Sequence, residues 1–143
     1  MNIDLDIKNI DFKDSSVKTG MFTGEAVENS ENIFITFQFP DNKIKTIESD
    51  SFSFLDNTKE IRLPNSIITI KENAFQNSQS IEKLTLGNSL QEIGDFAFMY
   101  VHNLKEVIIP DSVKSIGMGG IQRTKNRNIK IIFFISINRR LRF

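Results

Sequence analysis

The chain has 143 residues, enough for one domain with one modest core, and 39% of them are apolar. It contains no cysteine, which excludes a disulfide framework, a thiol nucleophile and a cysteine-based zinc site. The formal net charge is zero, yet seven of the eighteen basic residues fall between Arg123 and Phe143, where there is no acid, so an acidic body is joined to a basic tail.

Residues 1–33 carry no clear repeat. Ile3, Leu5 and Ile7, followed by Ile10 and Phe12, predict one or two strands that act as a capping segment over the open end of a stack. The stretch from Met1 to Phe12 has neither the basic nor the apolar region of a signal peptide.

From 34 to 122 the chain repeats itself. Ile61 to Ile70 (IRLPNSIITI), Leu84 to Ile93 (LTLGNSLQEI) and Val107 to Ile116 (VIIPDSVKSI) overlay at a constant spacing of 23 residues. An earlier copy begins at Phe37, with Phe39, Pro40, Ile44 and Ile47, and has one extra residue in its Asp41-Asn42-Lys43 turn. That makes about four units of 23–24 residues. The second half of each unit repeats as well. Asn73-Ala74-Phe75 matches Phe96-Ala97-Phe98, Ser51-Phe52 matches more loosely, and Gly119-Gly120-Ile121 takes the place in the last unit. The apolar slot six residues after the Phe holds Thr58, Ile81 and Leu104, and Phe34 fills the one before Phe37.

Within a unit, Ile61-x-Leu63, Leu84-x-Leu86 and Val107-x-Ile109 have the period of a short strand with one buried face. Pro64 and Pro110 end their strands because proline lacks the N–H a ladder needs, and Gly87 does so with a flexible backbone. Asn65-Ser66, Asn88-Ser89 and Asp111-Ser112 supply turn chemistry. The return arc after the turn, with apolar residues three apart, is either extended or a single helical turn. One unit cannot bury its apolar slots alone, but stacked units align like slots into columns. The expected fold is therefore an α/β or mainly β repeat solenoid, its strands side by side in a parallel sheet.

The basic segment 123–143 reads as a tail or as a cap strand through Ile129, Ile131 and Phe133. As a tail it offers a nucleic acid or an anionic membrane a docking charge, or it is a solvated terminus. Its apolar run from Ile129 to Ile137, broken by Lys130 and Ser136, is far short of the roughly 20 residues that span a bilayer.

The residues Leu104 to Gly117 (LKEVIIPDSVKSIG) and Ile93 to Phe98 (IGDFAF) together resemble the BspA-like leucine-rich-repeat pattern L-x-x-I-x-I-P-x-S-V-x-x-I-G-x-x-A-F. The resemblance covers about Phe34 to Ile121. It implies a curved leucine-rich-repeat solenoid with short parallel strands on its concave side. It also implies an adhesion-type protein of the cell surface that binds host or matrix proteins, with a cytoplasmic scaffold as the alternative. Ser78 and Val101 stand where that family often has cysteine.

No catalytic grouping emerges. His102 is the only histidine and has no nearby carboxylate pattern. Asp50, Glu72 and Asp95 fall in the polar part of the return arc and read as solvated. Gly117-Met118-Gly119-Gly120 lacks the Lys-Ser/Thr of a phosphate loop and reads as an eroded repeat. No metal-ligand spacing and no small-molecule cofactor motif occur. The candidates for function are the outward strand positions, a protein-binding face built from Gln38, Glu60, Arg62, Lys83, Thr85, Glu106 and Ile108, with Thr36 alongside. Glu60, Lys83 and Glu106 read equally as a solubilising ladder of alternating charge. The chain also reads as a fragment of a longer repeat protein.

Overall fold

A strand that meets a proline or a tight turn after three or four residues must stop, and this sets the cross-section of the molecule. The computed structural model describes residues 1–22, 34–121 and, for the backbone, 130–133. Its strands in chain order are β1 (Asn2–Asp6), β2 (Ser16–Val17), β3 (Phe34–Gln38), β4 (Thr46–Ile47), β5 (Glu60–Arg62), β6 (Thr69–Ile70), β7 (Lys83–Thr85), β8 (Glu92–Ile93), β9 (Glu106–Ile109), β10 (Ser115–Ile116) and β11 (Lys130–Phe133). No α-helix occurs among the described residues, so the mainly β alternative is the one realised, and the return arc is extended.

The strands form two walls. The longer, odd-numbered strands pair in parallel as β1–β3 and as β5–β7–β9–β11, and β3 lies beside β5 without a continuous ladder. The two-residue, even-numbered strands make a five-stranded parallel sheet in the order β2–β4–β6–β8–β10. Register follows the repeat: Ile61 faces Leu84 and Leu84 faces Val107, while Ile47 faces Ile70 and Ile70 faces Ile93. Leu63 and Leu86 therefore sit just past the ends of neighbouring strands of one stack.

Main-chain hydrogen bonds tie coil to coil at the corners too. Ile68 N–H donates to Lys45 C=O at 2.7 Å and Gln91 N–H to Ile68 C=O at 2.8 Å. At the far turn Phe52 N–H donates to Ala74 C=O, and Phe75 N–H to Ala97 C=O, both at 2.8 Å. These turns use left-handed backbone at repeating positions. Asp50, Asn73, Phe96 and Gly119 all have φ between +54 and +63°, as do Phe54, Asn77 and Tyr100 four residues after the first three. The glycine of the Gly117–Gly120 run thus takes a left-handed slot that asparagine and aspartate fill elsewhere.

The core is a set of columns between the walls. Phe39, Leu63, Leu86 and Ile109 form one, and Ile44, Ile67, Leu90 and Val113 another, all buried. The aromatic column is continuous. Phe22 and Phe52 stack at 5.0 Å between ring centroids, Phe52 and Phe75 at 5.0 Å, and Phe75 and Phe98 at 5.1 Å, with interplanar angles of 15°, 3° and 13°. Ala74 and Ala97, wholly buried beside it, leave room for the rings.

Phe22 and Val17 belong to this pattern, although nothing in the first 33 residues announces it. Val17 pairs with Ile47 in the shorter-strand sheet, and Phe22 follows it by five residues as Phe52 follows Ile47. The expected apolar pair Ile10 and Phe12 lies outside any strand; Phe12 is buried and Ile10 exposed. Phe34 is also only half-buried, and the Lys59 ammonium lies 4.1 Å from its ring centroid. Thr58, by contrast, is fully buried in its slot, and its hydroxyl has no hydrogen-bond partner among the described residues.

Ser78 shows how a polar residue is accommodated. It is fully buried, its Oγ donates to Phe52 C=O at 2.7 Å, and it accepts from Leu55 N–H at 3.1 Å. One hydroxyl satisfies two main-chain groups of the preceding coil. Ser78→Ala would leave both without that partner, so denaturant unfolding of the variant should show a loss of about 2 kcal/mol.

Candidate protein-binding face

The candidate site is the outward side of the longer strands. Because side chains alternate along a strand, burying Ile61 and Leu63 turns Glu60 and Arg62 outward, and the same holds for each coil. The register then lays these residues in rows. Glu60 faces Lys83 and Lys83 faces Glu106. Arg62 faces Thr85 and Thr85 faces Ile108. Gln38 stands one residue after Phe37, as Arg62 stands after Ile61, and belongs to the second row one coil earlier. The structure therefore gathers the residues singled out from the sequence onto one side, with Gln38 across the β3–β5 gap in the ladder.

The charges on this side are partnered. Arg62 Nε donates to Glu60 Oε1 at 2.8 Å, and Lys83 Nζ lies 3.3 Å from the same oxygen. Burial pushes the Glu60 carboxyl up, but the hydrogen bonds from Arg62 and Lys83, and then their charges, outweigh it and hold the carboxyl below its ordinary value. A lowered folded-state value means the interaction is present above the usual carboxylate range and is lost as the pH falls through the lowered value. These groups are largely solvated, with Arg62 and Lys83 side chains 70% and 60% exposed, so the ladder contributes little to stability. Beside it, Lys105 pairs with Glu82, and this hydrogen bond is the main reason the Glu82 carboxyl is held low. Gln38 accepts from Lys8 Nζ at 2.9 Å.

A groove of about 770 Å³ follows the outward side of β7 and β9. Lys83, Thr85, Glu106 and Ile108 line it, as do Asn88, Asp111 and Ser112 from the turns beyond the strand ends. Ile108 is 42% exposed, a large apolar side chain in a polar setting. The Ser112 hydroxyl is buried and has no hydrogen-bond partner among the described residues. Asn88, Asp111 and Ser112 are turn residues by sequence. Their recurrence just beyond each strand end is the signal that would have placed them at the rim.

The remaining sequence candidates do not converge. His102 sits edge-on to Tyr100, with ring centroids 5.8 Å apart. Asp95 Oδ1 accepts from Met118 N–H at 2.7 Å, so it holds a turn of the next coil. Glu72 occupies the same place one coil earlier and Asp50 a neighbouring slot. Among the described residues no group of three or more His, Asp or Glu could hold a metal ion, and no helix is long and apolar enough to cross a membrane.

Short parallel strands stacked at a 23-residue interval, each followed by a turn and an extended return, define a leucine-rich-repeat solenoid. The sequence matches the family described as "BspA type Leucine rich repeat region" in six copies over residues 25–140, and the chain belongs to that family. The crystal structure of a leucine-rich repeat protein from Bacteroides ovatus ATCC 8483 is similar to it, with a TM-score of 0.58 and 21% sequence identity over 91% of this chain. The chain spans only 33% of that protein, and the likeness is one of fold. No curated protein matches the sequence.

Proposed function

We propose that this chain is a non-enzymatic protein-binding module, and that the outward side of β5, β7 and β9 is its recognition surface. The observation that carries this reading is the register, which puts Glu60, Arg62, Lys83, Thr85, Glu106 and Ile108 in two rows on neighbouring strands. Side chains fixed to a hydrogen-bonded backbone lose little conformational freedom when a partner docks. The mixture of both charges with one exposed isoleucine suits a folded protein surface. The BspA-type resemblance extends the proposal to adhesion at a cell surface, with a host or matrix protein as partner. A cytoplasmic scaffold would use the same face.

Binding should be screened with the intact chain against arrays of matrix and cellular proteins. For a partner found this way, Arg62→Glu with Lys83→Glu should weaken binding by about 10–100-fold, because charges on this face become repulsive. The melting temperature should fall by no more than a few degrees, since the like charges that then face Glu60 and Glu106 lie among solvated side chains. Unchanged affinity in the double variant would remove this face as the site. A second reading rests on the seven basic residues from Arg123 to Phe143, unaccompanied by acid. Apart from the strand Lys130–Phe133, that segment lies outside the described residues. Nucleic-acid or anionic-vesicle binding that falls steeply with salt and disappears on deleting the tail would favour it.

A further inference from the structure

Two turn residues of the groove differ from their equivalents earlier in the stack. Asn65 Oδ1 accepts from Asn88 N–H at 3.1 Å, and Ser66 Oγ donates to Ile44 C=O at 2.7 Å. Those side chains tie one coil to another. The same slots two 23-residue intervals later hold Asp111 and Ser112. Among the described residues the Asp111 side chain has neither an ion pair nor a hydrogen bond, and the buried Ser112 hydroxyl has no partner. A buried polar atom is ordinarily hydrogen-bonded, so Ser112 Oγ is an acceptor without its donor. Asn88 lies in the slot between Asn65 and Asp111, and its side chain makes no hydrogen bond among the described residues either.

The charge of the groove points the same way. Its cations are taken: Lys83 Nζ lies 3.3 Å from Glu60 Oε1, and Lys105 pairs with Glu82. Asp111 is exposed and has no such counter-charge. Beside it the lining is apolar, with Ile108 42% exposed and Pro110 next to Asp111 in the chain. An apolar wall that leads to an unpaired carboxylate and two further acceptors fits a side chain with a hydrocarbon stem and a cationic, multiply donating head. Arginine has that form. Its planar guanidinium carries five N–H donors and is less strongly hydrated than an ammonium. The volume of about 770 Å³ falls in the range of small-ligand pockets, roughly 300–1,000 Å³, so the flanking main chain of a peptide segment fits as well.

We propose that this groove receives an arginine side chain from the bound protein. Its guanidinium donates to the Asp111 carboxylate, to Asn88 Oδ1 and to Ser112 Oγ, and its methylenes lie on Ile108 and Pro110. This rests on the outward side of the strands being the recognition surface, and it names the chemistry read at one place on it. Arg62 and Lys83 then meet acidic groups of the same partner elsewhere on that side.

The test is an NMR titration of the full chain with three capped tripeptides, each with arginine, lysine or glutamate between two alanines. The arginine peptide should give saturating shifts at the amides of Asn88, Ile108, Asp111 and Ser112, with a Kd on the order of 1 mM that rises with salt. The lysine peptide should bind several-fold more weakly, since one ammonium cannot reach three acceptors in a fixed fork, and the glutamate peptide should leave these amides unmoved. Asp111→Asn should weaken arginine binding about tenfold by removing the charge-assisted bond. The melting temperature should hold, because the Asp111 side chain is exposed and unbonded. The proposal is overturned if the arginine peptide gives no saturating shifts at these amides, if the lysine or glutamate peptide binds there as tightly, or if Asp111→Asn binds arginine like the parent. The wider face is judged separately. A protein partner indifferent to Arg62→Glu with Lys83→Glu removes that face even where the arginine peptide binds, and a partner weakened by that pair while no arginine peptide binds removes the groove alone.

Discussion

Phe75→Ala should destabilise the fold by about 3–5 kcal/mol and lower the melting temperature by on the order of 10–15 °C. Phe75 is wholly buried and stacks on Phe52 at one face and Phe98 at the other. Truncation removes the transfer energy of the ring and both aromatic contacts, each worth about 0.5–1.5 kcal/mol beyond burial. The space cannot collapse easily, because the main chain on either side is fixed by Phe75 N–H to Ala97 C=O and Phe52 N–H to Ala74 C=O. Phe22→Ala, at the first position of the column and only partly buried, should cost clearly less. Equal losses in calorimetry would mean that the stack does not transmit stability from neighbour to neighbour.

Gly87→Ala should cost about 3 kcal/mol, the upper end of the range for an overpacked site. A Cβ built on Gly87 would lie 2.3 Å from the Pro64 carbonyl oxygen and 2.9 Å from the Asn65 Cα. Both obstacles are main chain, so no side-chain rotation relieves them, and β5 and β7 must separate at their ends. Chemical denaturation measures the loss. A variant as stable as the parent would show that adjoining coils can slide apart there at no cost. The same crowding explains a substitution visible in the sequence: Pro40, Pro64 and Pro110 end their strands, but the coil after Pro64 uses glycine, where a ring would strike the preceding turn.

Much of the fold was legible because an exact interval repeats whole environments. Ile61, Leu84 and Val107 are equivalent in sequence and adjacent in space for the same reason, that each coil covers the last. The Phe column was legible for the same cause. Phe22 and Val17 were not, because the first coil has none of the proline, Asn-Ser or Ala-Phe markers that set the register elsewhere, and a single spacing of five residues carries no weight. The return arc was undecided since two apolar residues three apart suit one helical turn or a bend. The short strands ending at Ile47, Ile70, Ile93 and Ile116 show it to be extended. Of the left-handed residues in the turn beyond it, those with asparagine or aspartate were readable in principle, whereas Phe54, Phe96 and Tyr100 were not, because bulky side chains avoid that conformation. The rows of the candidate face followed from alternation alone. Their ion pairs did not, because Arg62 and Lys83 reach the same Glu60 oxygen from different coils, which depends on rotamers.

Successive coils are joined by amide-to-carbonyl bonds at the walls and corners, and those bonds ask nothing of the side chains that point to water. Arg62, Thr85 and Ile108 can each be exchanged without loosening the scaffold that displays them. A lineage could therefore retarget such a surface one substitution at a time, keeping the frame while the message written on it changes.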